Sequence, residues 1–275
     1  MVTIAVILTC FNRKAKTLQC LDHLYKQSGI GTQFKFDVYL VDDGSTDGTG
    51  EAVKKSFREV NIIQGNGNLY WNGGMHLAWK TAVATKHHDF YLWINDDTFI
   101  FPNATQEVLE CYAAAGQEAI ICGSTCTEKT REFSYGGRTK QDKIILPNGQ
   151  LQECHIMNGN FVLISDEITK SVGIIDPIFP HAMGDHDYGL RAIKKGFKIF
   201  ITRDYIGYCE LHDKIANWCN PAVPLKKRIK ALYSPLGNHP NQFFIYENRH
   251  YGFFRAAFHY LTIHLRVLIP GLWKQ

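Results

Sequence analysis

The chain reads as an α/β protein, an open and mostly parallel sheet with helices on both faces. Three observations lead there. Within the first hundred residues, four short apolar runs alternate with three stretches of helical period. Each run ends in a polar loop rich in Asp, Asn and Gly, and in such sheets ligands bind beyond the carboxyl ends of the strands. The fourth run, FYLWI at 90–94, stops on Asn95-Asp96-Asp97. Adjacent carboxylates at the end of a buried strand repel and are costly to desolvate, and a hard divalent cation holding a phosphate would offset that cost. A solvated turn or helix cap is the simpler alternative.

Residues 2–8 are a strand by their β-branched run. The polar loop Thr9-Cys10-Phe11-Asn12-Arg13 follows, then a helix over about 14–27 with Leu18, Leu21 and Leu24 at helical spacing. A second strand, 36–41, closes on Asp42-Asp43-Gly44-Ser45-Thr46-Asp47-Gly48, whose Ser, Thr and Asp residues can cap a helix over 49–57. A short strand at 61–64 leads to Trp71-Asn72-Gly73-Gly74, with a helix expected from about 75 to 85. No G-x-G-x-x-G follows the first strand and no Walker A sequence is present, which argues against a dinucleotide-binding Rossmann domain and a P-loop NTPase.

Beyond residue 100 a helix is expected from Pro102, a strand at 119–123 and a hairpin over 131–150 with Gly136-Gly137 and Asn148-Gly149 turns. Further strands are expected at 161–165 and 198–202, with helices at 166–172 and 185–195. After Pro221 the pattern is helical only: a basic helix near 226–233 and one long stretch from about 246 to 268.

Composition is that of an ordinary globular protein, 45% hydrophobic and 20% charged. The N-terminal stretch lacks a basic segment and a cleavage site, so export is not expected and the Asn103 sequon carries no meaning. None of the eight cysteines forms a CxxC pair, which suits reduced, buried thiols. The net charge of +4 conceals an asymmetry: residues 212–275 hold nine Lys/Arg against two acids, +7, leaving −3 for the remainder. Such a tail suits an anionic surface, membrane or nucleic acid, or a helical subdomain with solvated lysines.

Five ordered motifs carry a resemblance: ILTCFNR, VDDGSTDGT, GNLYWNGGM, INDDT and GDHDYGLRAIKKGF. Over roughly residues 2–212 the chain resembles the family 2 inverting glycosyltransferases of the GT-A fold, most like bacterial rhamnosyltransferases. The resemblance implies a transferase domain at 1–212 and a basic, aromatic-rich helical region at 213–275. It implies that Thr9, Cys10, Phe11, Asn12 and Arg13 line the pyrimidine pocket and that Asp43 accepts the base N3 hydrogen. Trp71, Asn72, Gly73 and Gly74 would lie against the diphosphate and sugar, with Trp71 equally suited to a core. Asn95 and Asp96 would lie near the ribose. Asp97 would ligate Mg²⁺ or Mn²⁺, with His212 as a second ligand. Asp185 matches the general base, while Gly159, Asn160 and Asp187 fall on the acceptor side, Asp187 being the alternative base. On residue chemistry alone, Asp185 reads as an N-cap and Asp187 as the i,i+4 partner of Arg191.

The implied activity is transfer of a sugar from a dTDP- or UDP-sugar donor to a glycan or lipid-linked glycan acceptor in cell-surface polysaccharide synthesis. The alternatives are a sugar-phosphate nucleotidyltransferase and a non-catalytic nucleotide- or glycan-binding module. A cytoplasmic protein is expected, peripheral on the inner face of the membrane or a homodimer through its C-terminal helices, with no nucleic-acid partner. The apolar runs there are too short and interrupted for a membrane span.

Overall fold

Strand β1 (Val2–Cys10) is the hub of the sheet, because residues 4–8 are apolar on both faces and buried. The structure is a computed structural model describing residues 1–116, 118–211 and 215–272. In chain order there follow α1 (Lys14–Tyr25), β2 (Phe34–Asp42), α2 (Thr49–Ser56), β3 (Asn61–Gln64), α3 (Tyr70–Thr85), β4 (Phe90–Ile94), β5 (Phe99–Ile100) and α4 (Ala104–Ala114). The second half holds β6 (Ala119–Cys126), β7 (Gly137–Arg138), β8 (Gln152–Cys154), β9 (Ile156–Met157), β10 (Phe161–Ser165), α5 (Asp166–Val172), α6 (Gly184–Lys194) and β11 (Lys198–Tyr208). Helices α7 (Leu225–Leu232), α8 (Pro240–Tyr251) and α9 (Phe253–Leu268) end it.

The main sheet runs β3-β2-β1-β4-β10-β6-β11-β5, with β8 also on β11. The first four strands are parallel, as the β-α alternation demands. Strand β10 then enters antiparallel between β4 and β6, and β11 runs parallel to β6. Alternate residues of β1 divide the core: Ile4, Val6 and Leu8 meet α1 and α4, whereas Ala5 and Ile7 meet α3 and α6. On the second face Trp79, Trp93 and Tyr188 pack ring to ring at centroid spacings of 5.2–5.3 Å. All eight cysteines are buried and unpaired.

Three expectations change. Helix α3 begins at Tyr70, so Trp71-Asn72-Gly73-Gly74 forms its first turn rather than a preceding loop. Its orphan N–H groups are met by Asp43 from β2's end, a partner 26 residues away that no local pattern reveals. The hairpin expected over 131–150 shrinks to an antiparallel bridge between Arg138 and Ile144 that turns at 139–143; β7 pairs with β9, and Asn148-Gly149 leads the chain into β8 against β11. The expected long C-terminal helix is two, because Gly252 at φ +93 ends α8 and reverses the chain. Helices α8 and α9 form an antiparallel pair. Helix α7 joins α9 through Leu232, Ile263 and Val267, and the buried Arg228 donates to Val267 O (2.9 Å) and Leu268 O (3.2 Å) at α9's C-terminus. No helix among the described residues is long and apolar enough to cross a membrane.

Candidate active site

The loops after β1 and β2 are tied into one unit. Asn12, at φ +52, donates its N–H to Ser45 Oγ (2.9 Å), and its Oδ1 accepts the Thr46 N–H (2.7 Å). Lys14 N–H donates to Asp47 Oδ2 (3.0 Å), which also places a carboxylate at the start of α1. Phe11 presents a half-exposed ring on this unit. Thr9 and Cys10 lie beneath it. The Thr9 hydroxyl donates to Val41 O (3.2 Å), and burial, with Asp42 and Asp96 nearby, holds the Cys10 thiol well above its ordinary range.

Asp43 is buried and accepts three backbone N–H groups: Gly67 on Oδ1 (2.8 Å), and Leu69 (2.9 Å) and Tyr70 (3.0 Å) on Oδ2. A carboxylate has about four acceptor lobes, so one on Oδ1 remains. The residue expected to read a base is thus also the anchor of the loop entering α3.

Asp96 and Asp97, both buried at the end of β4, share one cation. Arg13 Nη1 lies 2.8 Å from Asp96 Oδ1 and 2.8 Å from Asp97 Oδ2. Thr17 donates to Asp96 Oδ2 (3.2 Å), and Lys16 Nζ stands 3.9 Å from Asp97. Burial pushes the Asp96 carboxyl up to about 6 even with Arg13 against it. Behind the pair, Cys209 at the end of β11 accepts from Asn160 Nδ2 (3.3 Å) and lies 3.9 Å from Asp97 Oδ1.

The facing wall is built from α3, the loop before β10 and the start of α6. Trp71 Nε1 donates to Asn95 Oδ1 (2.7 Å), and Asn95 N–H donates to Asn160 O (3.1 Å). Gly159 N–H donates to Asp185 Oδ2 (2.9 Å), and a Cβ on Gly159 would stand only 2.6 Å from the Trp71 ring. Asp185 is half-buried, its Oδ1 accepting the His186 N–H (2.9 Å). A continuous run of contacts therefore links Asp185 through Gly159, Asn160 and Asn95 to the Asp96–Asp97 pair. His181 lies within electrostatic reach of both Asp185 and Arg13; burial lowers its pKa first, and its Nδ1 has no hydrogen-bond partner among the described residues.

Two expected ligand-facing residues are elsewhere. Asn72 is fully buried; its amide donates to Asp176 O (2.8 Å) and Phe179 O and its N–H to Pro180 O (3.1 Å), so it ties down the loop before α6. Gly73 N–H joins it on Pro180 O (3.3 Å), and Gly74 packs on Thr9. Asp187 is also fully buried, bound by Arg191 Nε (2.8 Å), Arg249 Nη1 (2.8 Å) and His250 Nε2 (2.8 Å). It faces α8. Position 184 is glycine for a steric reason: a Cβ there would lie 1.6 Å from Asn72 Oδ1.

Lys16, Thr17, His181 and Cys209 were not foreseen. Lys16 and Thr17 follow Arg13 at i+3 and i+4, so helical spacing alone could have found them. His181 and Cys209 have no such signal.

Asp96 and Asp97 offer the hard carboxylate oxygens that Mg²⁺ or Mn²⁺ takes, at a place where burial keeps positive charge in demand. They fit such an ion as part of a coordination sphere, not as a ready-made cage. Among the described residues, no three His, Cys, Asp or Glu side chains gather into one. His212, expected as a further ligand, lies outside the described residues.

A family model described as "Glycosyl transferase family 2" matches residues 5–173, more than half of the chain. Among solved structures, the mannosyltransferase PcManGT from Pyrobaculum calidifontis, in complex with GDP-Man and Mn²⁺, superposes with a TM-score of 0.58 at 14% identity, over 99% of this chain and 76% of that one. TarS 1–349 from S. aureus superposes with a TM-score of 0.55 at 14% identity, over 98% and 71%. Its complex with UDP-GlcNAc gives 0.59 at 13%, over 98% and 72%. At these identities the likeness is one of fold. No curated protein sequence matches significantly.

Proposed function

Since the chain belongs to glycosyl transferase family 2 and is a glycosyltransferase, we propose that it moves a sugar, with inversion, from a dTDP- or UDP-sugar to a hydroxyl of a glycan or lipid-linked glycan in surface polysaccharide assembly. One observation carries the reading: a run of contacts through Gly159, Asn160 and Asn95 joins Asp185 to the Asp96–Asp97 pair. In the reaction the acceptor oxygen attacks the anomeric carbon and the carbon–oxygen bond to the diphosphate breaks. The nucleoside diphosphate leaves with the bonding electrons, and the acceptor proton passes to an Asp185 oxygen.

Each residue then has a chemical task. The Gly159 N–H orients the Asp185 carboxylate, and the two loops bridged by Asn12 form the nucleotide wall, with Phe11 available to stack on a base. Arg13 and Lys16 supply positive charge beside the departing diphosphate. Asp97, with Asp96, would hold Mg²⁺ or Mn²⁺, a Lewis acid that stabilises charge on phosphate oxygens. The GDP-Man and Mn²⁺ complex of one structural neighbour and the UDP-GlcNAc complex of the other support a nucleotide-sugar donor and a divalent cation.

The test is a donor screen by NMR, following slow hydrolysis or transfer with and without Mn²⁺. Asp185→Asn should bind donor as the parent does and lose turnover by at least about a hundredfold. Asp97→Asn should remove the response to Mn²⁺. Full turnover in both variants would overturn the assignment, and release of pyrophosphate from an NTP would mark a nucleotidyltransferase instead.

A further inference from the structure

Arg13 joins two acids through a single nitrogen. Its Nη1 lies 2.8 Å from Asp96 Oδ1 and 2.8 Å from Asp97 Oδ2, so these two oxygens face a common point. The second oxygen of each acid is turned elsewhere: Asp96 Oδ2 accepts the Thr17 hydroxyl (3.2 Å), and Asp97 Oδ1 lies 3.9 Å from Cys209 Sγ. The oxygens through which both acids could share one ion are therefore the two that the guanidinium already holds. A divalent cation and Arg13 are drawn to the same negative charge, and each repels the other.

The contact is not built as a permanent brace. The side chains of Asp96 and Asp97 are 6% and 9% exposed, whereas that of Arg13 is 36% exposed. The Arg13 backbone is fixed, because the residue is the N-cap of α1 and its carbonyl accepts the Thr17 N–H (2.9 Å). Only the side chain has to swing for the acids to be released. Charge says when it does. Arg13 and Lys16, the latter 3.9 Å from Asp97, balance the two carboxylates, so a divalent ion arriving alone leaves these side chains with an excess of positive charge. The doubly charged diphosphate of a nucleotide-sugar cancels that excess, and a guanidinium fork suits phosphate as well as carboxylate.

We propose that Arg13 is a resident cation: it holds the place of the divalent ion between Asp96 and Asp97, and yields it when the diphosphate of a nucleotide arrives. The inference rests on the reading that Asp96 and Asp97 carry the ion, and it adds that ion and donor load together. Such coupling is reciprocal, the nucleotide raising the affinity for the ion by the factor by which the ion raises the affinity for the nucleotide. Without Arg13 the acid pair is open to the ion before any donor comes.

The test is Mn²⁺ binding by the full chain, followed by the electron paramagnetic resonance of the free ion, with and without UDP or dTDP. The parent should bind Mn²⁺ at least about tenfold tighter with the nucleotide than without it. Arg13→Gln should bind Mn²⁺ alone at least about tenfold tighter than the parent does, and gain less from the nucleotide. Lys16→Gln removes the same charge without the bridge and should stay within about threefold of the parent. Equal tightening in both variants would overturn the proposal, because charge alone would explain it. So would an Arg13→Gln affinity no tighter than the parent's while Asp97→Asn loses the ion, an outcome that leaves the metal reading intact. No Mn²⁺ binding in any of these proteins, even with nucleotide, would overturn both. A crystal of the parent grown with Mn²⁺ and UDP needs no substitution: Arg13 should have left at least one carboxylate, and Arg13 still bridging both beside a bound ion would overturn the proposal.

Discussion

Arg249 of α8 and Asp187 of α6 meet at 2.8 Å with the carboxylate fully buried, 62 residues apart in sequence. Arg249 also reaches Asp176 (2.9 Å), and His250 takes the same Asp187 oxygen. The C-terminal helices are thereby joined to the helix that begins with Asp185. Removing one partner of a buried carboxylate leaves charge without an answer. Arg249→Ala should cost about 2–3 kcal/mol in urea unfolding, less than the full loss of a buried pair because Arg191 and His250 remain. Turnover should fall with it, since α6 loses its brace.

Asp187 also predicts an acid limb in stability. Burial alone would raise its pKa, but His250, Arg191 and Arg249 outweigh burial and hold the carboxyl below its ordinary range. A carboxyl depressed on folding contributes stability that is present above its unfolded pKa, about 3.9, and is lost as pH falls through the folded value. Unfolding free energy followed downward from pH 5 should drop more steeply in the parent than in Asp187→Asn. Parallel curves would show that Asp187 does not supply the limb.

Gly184→Ala should injure both fold and site. The added Cβ would occupy the position of Asn72 Oδ1, and Asn72 cannot retreat without giving up the carbonyls of Asp176 and Phe179. A loss of about 1–3 kcal/mol is expected from overpacking. A lowered kcat should accompany it, because Asp185 is the next residue. Circular dichroism melting and turnover on one preparation check both.

Asp43→Asn separates the anchor from the base reader. The amide keeps one acceptor oxygen but cannot accept the N–H groups of Gly67, Leu69 and Tyr70 together. We expect about 1–2 kcal/mol of destabilisation from the lost cap at α3, along with weaker donor affinity by isothermal titration. Unchanged stability would mean that the three amides find water at no cost.

Much of this site was legible before any coordinates. The parallel start of the sheet follows from strand and helix periods, and the polar strand ends follow from where hydrophobic runs stop. Arg13 reaches Asp96 and Asp97, and Trp71 reaches Asn95, at the edge to which a parallel sheet delivers its carboxyl ends. Asn72 and Asp187 misled for one reason: a polar residue inside a motif reads alike whether it faces a ligand or satisfies a buried carbonyl. Only its long-range partner tells which.

The order of residues alone was enough to specify the alternating strands and helices, the acids at their ends and the excess of positive charge after residue 212. Those properties are local, written in spacing and side-chain chemistry. Contacts between distant segments decided the rest: β10 turned antiparallel into the sheet, Asp43 capping a helix 26 residues away, Asp187 locked to α8, and α9 keeping a second apolar face outward. Each depends on which surfaces remain unsatisfied once the other elements have packed, and that quantity exists only in the folded chain.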